Sequence, residues 1–312
     1  MPIPKPGPGE ILVKVQAAAI NPVQTSLAML STVGEDVQDY SEGDKVFFPS
    51  QTINNYAGFQ QYTLVHTRTV GKIPSSLSYA EAASIPLTFA TAAFPLLAAS
   101  PVGAGLNPTF DPKVSFAGEP ALVIGGGTSV GQFAIQIFRY LGFSTIITYA
   151  SSRHTDFLKS IGATHVIDRA DVPFDAIPRI VKEITSKPIK FAYAAFVATP
   201  EGQNAAYACL APNGTLACAH PAPPKYEDAE ATGKTVIGVF ASTHLPLNRE
   251  FGTTMWKEMP KLVQDGTIKP NRVEILSGGL NAIADGCKRI FSGGMSGSSS
   301  GIKLVVNPQE TD

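Results

Sequence analysis

The stretch Ala121-Leu122-Val123-Ile124-Gly125-Gly126-Gly127-Thr128-Ser129-Val130-Gly131 limits what this chain can fold into more than any other. Four apolar residues without polar alternation read as a strand buried on both faces, as in a parallel sheet. The three glycines that follow let the backbone bend sharply and approach a phosphate with no Cβ in the way. Beyond them, Val130, Ala134, Ile135, Ile137, Phe138 and Leu141 share one face of a helix that Gly142 ends. The order strand, glycine turn, helix aims the N–H groups of Thr128 to Gly131, and the positive end of a helix dipole, at the turn. That arrangement suits a pyrophosphate. The strict G-x-G-x-x-G spacing is not met, because Thr128 takes the place of the middle glycine. A glycine turn that binds nothing is the alternative, and the surrounding pattern weighs against it.

The pattern is an alternation. Thr145–Tyr149, Val166-Ile167, Phe191–Val197, Thr215–Ala219 and Val236–Phe240 read as strands. Asp156–Ile161, Ile177–Ile184 and Gly202–Leu210 read as helices between them. Strands alternating with helices predict an α/β domain with a doubly wound parallel sheet, assigned to residues 87–246. Dinucleotide sites for NAD place an acidic residue at the end of the second strand. Here Tyr149 is followed by Ala150-Ser151-Ser152-Arg153-His154, with no carboxylate. Hydroxyls and a guanidinium there suit a 2′-phosphate, so the expected cofactor is NADP(H). The alternative reading of Arg153 is a solvated residue in a first helical turn.

The flanks differ in character. Residues 10–20, 43–48 and 59–65 read as short strands separated by turns, which suggests a small barrel or sandwich. Residues 79–85 and 88–98 are Ala-rich and helical, 100–119 form a loop, Phe251–Gln264 a helix and Ile302–Val306 a last strand. Residues 1–86 and 247–312 are assigned to this second, discontinuous domain.

Several function classes are excluded. Lys and Arg number 24 against 25 Asp and Glu, so nothing in the charge favours nucleic acid. No uninterrupted apolar run of about 18 residues suggests a membrane span, and Met1–Gly9 lacks the apolar core of a signal peptide. Cys209, Cys218 and Cys287 are odd in number and far apart, which argues against disulfides and against a cysteine-rich zinc site. The five histidines are scattered, without ligand spacing. No metal site is expected, and a cytoplasmic location is. The G-x-S-x-G elbow of serine hydrolases is absent.

Together with their neighbours, these residues resemble the zinc-free medium-chain dehydrogenase/reductase superfamily. The similarity runs over nearly the whole chain. Pro4–Val15 is similar to the family's second strand, Ala19-Ile20-Asn21-Pro22-Val23 to its nicotinamide-side loop, and Val33-Gly34…Gly43-Asp44-Lys45-Val46 to its VG-x-x-V…GD-x-V turn. The GGGTSVG turn is common among the superfamily's quinone and enoyl reductases. Phe251-Gly252 through Trp256 to Asp265-Gly266, and then Lys303-Leu304-Val305-Val306, resemble the fungal trans-acting enoyl reductases that serve polyketide synthases.

The resemblance implies a GroES-like β-barrel domain and a Rossmann domain, with the cofactor in the cleft. It places Asn21, Pro22, Val23 and Gln24 by the nicotinamide, and Gly127, Thr128, Ser129 and Val130 on the pyrophosphate. Ser151, Ser152, Arg153 and His154 fall on the 2′-phosphate. Arg169 falls where the family has an adenosine-stacking tyrosine, and Ser296 lies in a loop that closes on the cofactor. Thr88, Thr91, Phe240 and Ser242 border the substrate. Zinc alcohol dehydrogenases carry a cysteine ligand in the place of Asn21, and their structural zinc lobe has no counterpart. The chain departs from the family in three ways. It begins at the second strand, only Thr25–Thr32 separates Gln24 from Val33, and Gln24 replaces the family's aspartate. The expectation is therefore an incomplete barrel lacking two strand segments.

Without zinc, the implied reaction is hydride transfer from NADPH to an electron-poor C=C or a quinone. Charge develops on a carbonyl oxygen and needs donors placed beforehand. Asn21, Tyr56 and Thr91 are the catalytic candidates, with Ser242 beside them. Each has a plainer reading: a turn residue before Pro22, a loop tyrosine, and a threonine facing a helical core. Two alternatives accompany the enoyl reductase reading: a quinone oxidoreductase, and a catalytically silent cofactor-binding relative. The implied partners are a small enone, enoyl or quinone substrate and a polyketide synthase, and the chain is expected to be a monomer or a homodimer.

Overall fold

A computed structural model describes residues 3–21, 25–51, 53–195, 200–219, 225–292 and 301–311, omitting the side chains of 25–29, 291 and 292. The chain forms two compact units. Unit 1 comprises Met1–Leu87, Gly252–Gly266 and Pro270–Asp312; unit 2 comprises Thr88–Phe251 and Thr267–Lys269. Two of the boundaries fall inside helices, where the sequence reading put domain ends at 86 and 246.

Unit 1 is organised around β1 (Glu10–Ala19), whose apolar residues Ile11, Val13 and Val15 are fully buried. β2 (Thr25–Val33) pairs with it antiparallel, from Ala19 opposite Thr25 to Ile11 opposite Val33. This corrects the sequence reading, which treated Thr25–Thr32 only as a shortened connection. The segment TSLAMLSTV has the β-branched ends and small polar content of a strand. By lying between β1 and β3 (Lys45–Phe48) it pairs backbone groups that would otherwise sit on open edges. β4 (Tyr62–His66) takes the other side of β1 from Glu10 to Lys14, and β5 (Gly71–Lys72) pairs with β3. The helix α1 (Tyr79–Ala83) is started by a capping box between Ser78 and Glu81.

Unit 2 follows the alternation read from the sequence. After α2 (Pro86–Leu97) come β6 (Pro120–Ile124), α3 (Ser129–Tyr140), β7 (Thr145–Ala150), α4 (Thr155–Ser160) and β8 (His165–Asp168). Then follow α5 (Ile177–Ile184), β9 (Ile189–Ala194), α6 (Pro200–Cys209), β10 (Leu210–Cys218), α7 (Ala229–Thr232) and β11 (Thr235–Gly238). The six strands are parallel in the order β11-β10-β9-β6-β7-β8. The order reverses direction between β6 and β9, which makes the carboxyl ends of these central strands the expected place for a ligand. Leu122, Ile147, Ala192 and Leu216 are fully buried in this sheet. The apolar stretch Tyr79–Leu97 has the length and composition of a membrane span, but 83% of it is buried inside the protein.

The long α8 (Arg249–Gln264) buries Met255, Trp256 and Met259. β12 (Arg272–Leu276), α9 (Ile283–Ser292) and β13 (Ile302–Val306) form a further strand–helix–strand unit, with β12 and β13 parallel. β13 joins β1 antiparallel at Ala18–Val306 and Ala19–Val305 and so completes the seven-stranded sheet of unit 1. Neither β12 nor α9 was read from the sequence.

Candidate functional site

The glycine turn of unit 2 is built by close packing. Gly125 has φ +85°, and the N–H groups of Gly125 and Gly126 both donate to the Tyr149 carbonyl on β7. A Cβ on Gly126 would stand 1.9 Å from Thr148 Oγ1, and one on Gly131 would stand 2.3 Å from the Gly125 carbonyl oxygen. Those two glycines are demanded by the fold. Gly127 is different. A Cβ there would meet the His154 Cδ2 at 3.3 Å, a tight contact that the ring would have to relieve by a few tenths of an ångström, and Ala150 Cβ at 4.0 Å. The crowding at Gly127 is thus milder than at Gly126 and Gly131. Thr128 caps α3 by accepting from the Gly131 N–H at 3.0 Å, and no acidic residue sits in the first turn. Gly127, Thr128, Ser129 and Val130 are all half-exposed. A glycine turn beside a capped, acid-free helix start fits a pyrophosphate.

Beside this turn lies the end of β7. His154 is buried against Gly127 and accepts from Arg153 Nε at 3.2 Å, while Ser152 and Arg153 are exposed. Parallel pairing sets Ala150 opposite Asp168 at the end of β8. Asp168 then meets Ser152, and a hydrogen bond from the Ser152 hydroxyl holds its carboxyl below the usual range. The sequence reading found no carboxylate at this strand end because Asp168 comes from the neighbouring strand. Arg169 follows it, with its N–H on the Ala150 carbonyl at 3.0 Å. Arg153 and Arg169 thus stand at strand ends where the Asp168 carboxylate is already engaged by Ser152.

The expected substrate-side residues of unit 2 stand on two segments. Thr88 is buried and Thr91 half-buried on α2. Pro95 inside this helix has no N–H to offer the Thr91 carbonyl. The buried Tyr193 hydroxyl on β9 supplies that bond at 2.8 Å. Beyond β11, Phe240 is 63% exposed. The buried Asn248 side chain fixes its segment by donating to the Phe240 and Ser242 carbonyls at 2.6 and 3.0 Å. Tyr193 and Asn248 were not singled out in the sequence.

In unit 1, Asn21 is buried at the end of β1. It donates from Nδ2 to the Ala19 carbonyl at 3.2 Å, and its Oδ1 accepts from Lys303 Nζ. Lys303, on β13, was also missed. Tyr56 lies in a different cluster. Its hydroxyl donates to Glu10 Oε1 at 2.6 Å, and its ring stacks on His66 with centroids 5.3 Å apart. Burial works to raise the Glu10 carboxyl, but Tyr56 and the Gly7 N–H hold it below the usual range; the same bond raises the Tyr56 hydroxyl. That hydroxyl is spent on Glu10. Pro22, Val23, Gln24 and Ser296 lie outside the described residues. Among the described residues, no three His, Cys, Asp or Glu side chains come together as a metal site would need.

Comparison with known proteins adds to this geometry. The zinc-binding dehydrogenase family matches residues 129–259. A zinc-type alcohol dehydrogenase-like protein of Schizosaccharomyces pombe is 27% identical over 343 residues, covering 98% of this chain and 94% of that protein. The enoyl reductase component of the lovastatin nonaketide synthase, lovC of Aspergillus terreus, is 28% identical, covering 95% of this chain and 88% of its own. Among solved structures, a putative zinc-dependent alcohol dehydrogenase from Rhizobium etli superposes with a TM-score of 0.80 at 24% identity, covering 98% and 91%. The alignment of 343 residues is longer than this chain of 312, so part of the fission-yeast relative has no counterpart here.

Proposed function

We propose that the chain, which is similar to the zinc-binding dehydrogenase family over residues 129–259 and to an enoyl reductase over 95% of its length, is a medium-chain dehydrogenase/reductase that works without zinc as an NADPH-dependent reductase of activated C=C bonds. The match to an enoyl reductase over 95% of the chain carries the reaction class. Arg153 and Arg169 at the ends of β7 and β8 support the choice of NADPH over NADH.

NADPH, when bound, supplies the hydride. The glycine turn gives its pyrophosphate room, Thr128 starts α3 by accepting from the Gly131 N–H, and the helix dipole meets the phosphate charge. Arg153, Arg169 and the Ser151 hydroxyl are the groups for the 2′-phosphate. During reduction of an enone or enoyl thioester, negative charge gathers on the carbonyl oxygen. Asn21, whose Oδ1 accepts from Lys303 Nζ, is the donor assigned to it. Acyl chains carried on a polyketide synthase are one natural form of such a substrate.

Steady-state oxidation of NADPH with a simple enone, an enoyl thioester and a naphthoquinone tests the reading. Turnover of the first two is expected. Oxidation with the quinone alone would replace the enoyl reading, and oxidation with none of them would overturn both.

A further inference from the structure

Register sets Asn21 against Lys303. Ala19 pairs with Val305, and the Ile20 N–H donates to the Leu304 carbonyl at 2.8 Å, so the next positions along the ladder are Asn21 and Lys303. Side chains alternate between the faces of a sheet. Ile20, Leu304 and Val306 enter the apolar core of unit 1, which leaves Asn21 and Lys303 together on the other face. Both are buried there, at 7% and 6% exposure. The Asn21 Oδ1 is the one hydrogen-bond partner of the Lys303 ammonium among the described residues.

Among the described residues, no carboxylate compensates this cation. On β12, Arg272 and Glu274 are in register with Ile302 and Leu304, hence on the opposite face, and Glu274 is held by Arg289 at 2.8 and 2.9 Å. On α1, Glu81 gives its carboxylate to the Ser78 cap. An ammonium removed from water with only an amide for company is costly, and burial pushes Lys303 down to about 7. Such a residue is a poor choice for stability alone.

We propose that Lys303 is a positioning residue that orients the Asn21 carboxamide, and that through it Lys303 tunes the donor facing the reacting carbonyl oxygen. The second half rests on the reductase reading above. An ammonium can donate but never accept. It therefore selects the amide orientation with Oδ1 toward Lys303 and the NH2 edge away from it, which the bond from Nδ2 to Ala19 also requires. A charged donor on Oδ1 also polarises the amide and strengthens its N–H groups. Deprotonation removes that polarisation, so the donor weakens as Lys303 becomes neutral.

Two measurements separate this proposal from the reductase reading. The first needs no turnover: the side-chain amide resonances of Asn21 followed by NMR as pH is raised. They are expected to move with a midpoint near 7 in the native protein and to stay flat in Lys303→Met. Flat native resonances would overturn the proposal whatever the activity. A clear titration in a protein that reduces no enone would support the pairing and defeat the reductase reading instead. The second is the pH profile of enone reduction. Lys303→Met is expected to lower kcat about tenfold at low pH, with KM and NADPH affinity within about twofold of native. Its profile should lose the step near neutrality. Lys303→Arg, charged throughout, should keep the rate at low pH and flatten the profile. Adding Asn21→Ala to Lys303→Met should cost little beyond Asn21→Ala alone. A native kcat and pH step in Lys303→Met, or multiplicative losses in the double variant, would overturn the proposal.

Discussion

Lys303→Met should change the sign of its effect on stability with pH. Methionine keeps the unbranched apolar stem of lysine and discards the charge. In the folded protein burial lowers Lys303 to about 7, against 10.5 for an ordinary lysine. Across that interval the unfolded chain binds a proton that the folded chain does not, so native stability rises with pH there. At about 1.4 kcal/mol per pH unit, the interval amounts to about 5 kcal/mol, a cost fully present below pH 7 and gone above pH 10.5. The methionine variant never carries this cost. It does take one donor from the buried Asn21 Oδ1, worth about 1–3 kcal/mol at any pH. Lys303→Met should therefore be more stable than native by about 2–4 kcal/mol near pH 6, and less stable by about 1–3 kcal/mol near pH 10.5. Urea unfolding of the cofactor-free protein at both pH values measures this. The single tryptophan, Trp256, is buried in unit 1 with Lys303 and gives the signal. A difference of the same sign and size at both values would refute the reasoning, because every other group titrates alike in the two proteins.

Three further outcomes follow from unit 2 and from the Asn21 position. NADPH should bind at least about tenfold tighter than NADH, about 1.4 kcal/mol, and Arg153→Ala should narrow that gap; equal affinities in a fluorescence titration of the native protein would contradict it. Gly127→Ala should fold normally and bind NADPH weakly. Gly126→Ala, whose Cβ falls 1.9 Å from Thr148 Oγ1, should lose about 1–3 kcal/mol of stability, and thermal unfolding beside the titration distinguishes the two. Purified protein should contain no stoichiometric zinc, because the Asn21 oxygen is already committed to the Lys303 cation; elemental analysis finding one zinc per chain would show the opposite.

What could be read in advance and what could not divides along a physical line. The buried strands of unit 2 are runs of apolar residues, and its helices repeat with helical period, so the sequence shows α5 with its observed ends. The glycine turn was legible for the same reason: its chemistry lies in consecutive residues. β12 was not, because Arg272-Val273-Glu274-Ile275-Leu276 is half polar and partly exposed at a sheet edge. β2 was read as a deletion because it was measured against a longer family pattern rather than by its own strand-forming residues. In the site, Asp168 reaches Ser152 only through the parallel register of β7 and β8. Lys303 lies 282 residues from Asn21 along the chain. In Ile302-Lys303-Leu304-Val305-Val306 alone, the alternation marks Lys303 as the outward residue of an edge strand, where lysine ordinarily meets water. Pairing with β1 buries it and places it against an amide. A metal site or a catalytic triad can announce itself by spacing, but the chemistry of this lysine comes from its burial and its neutral partner, and both are set by contacts between the two ends of the chain.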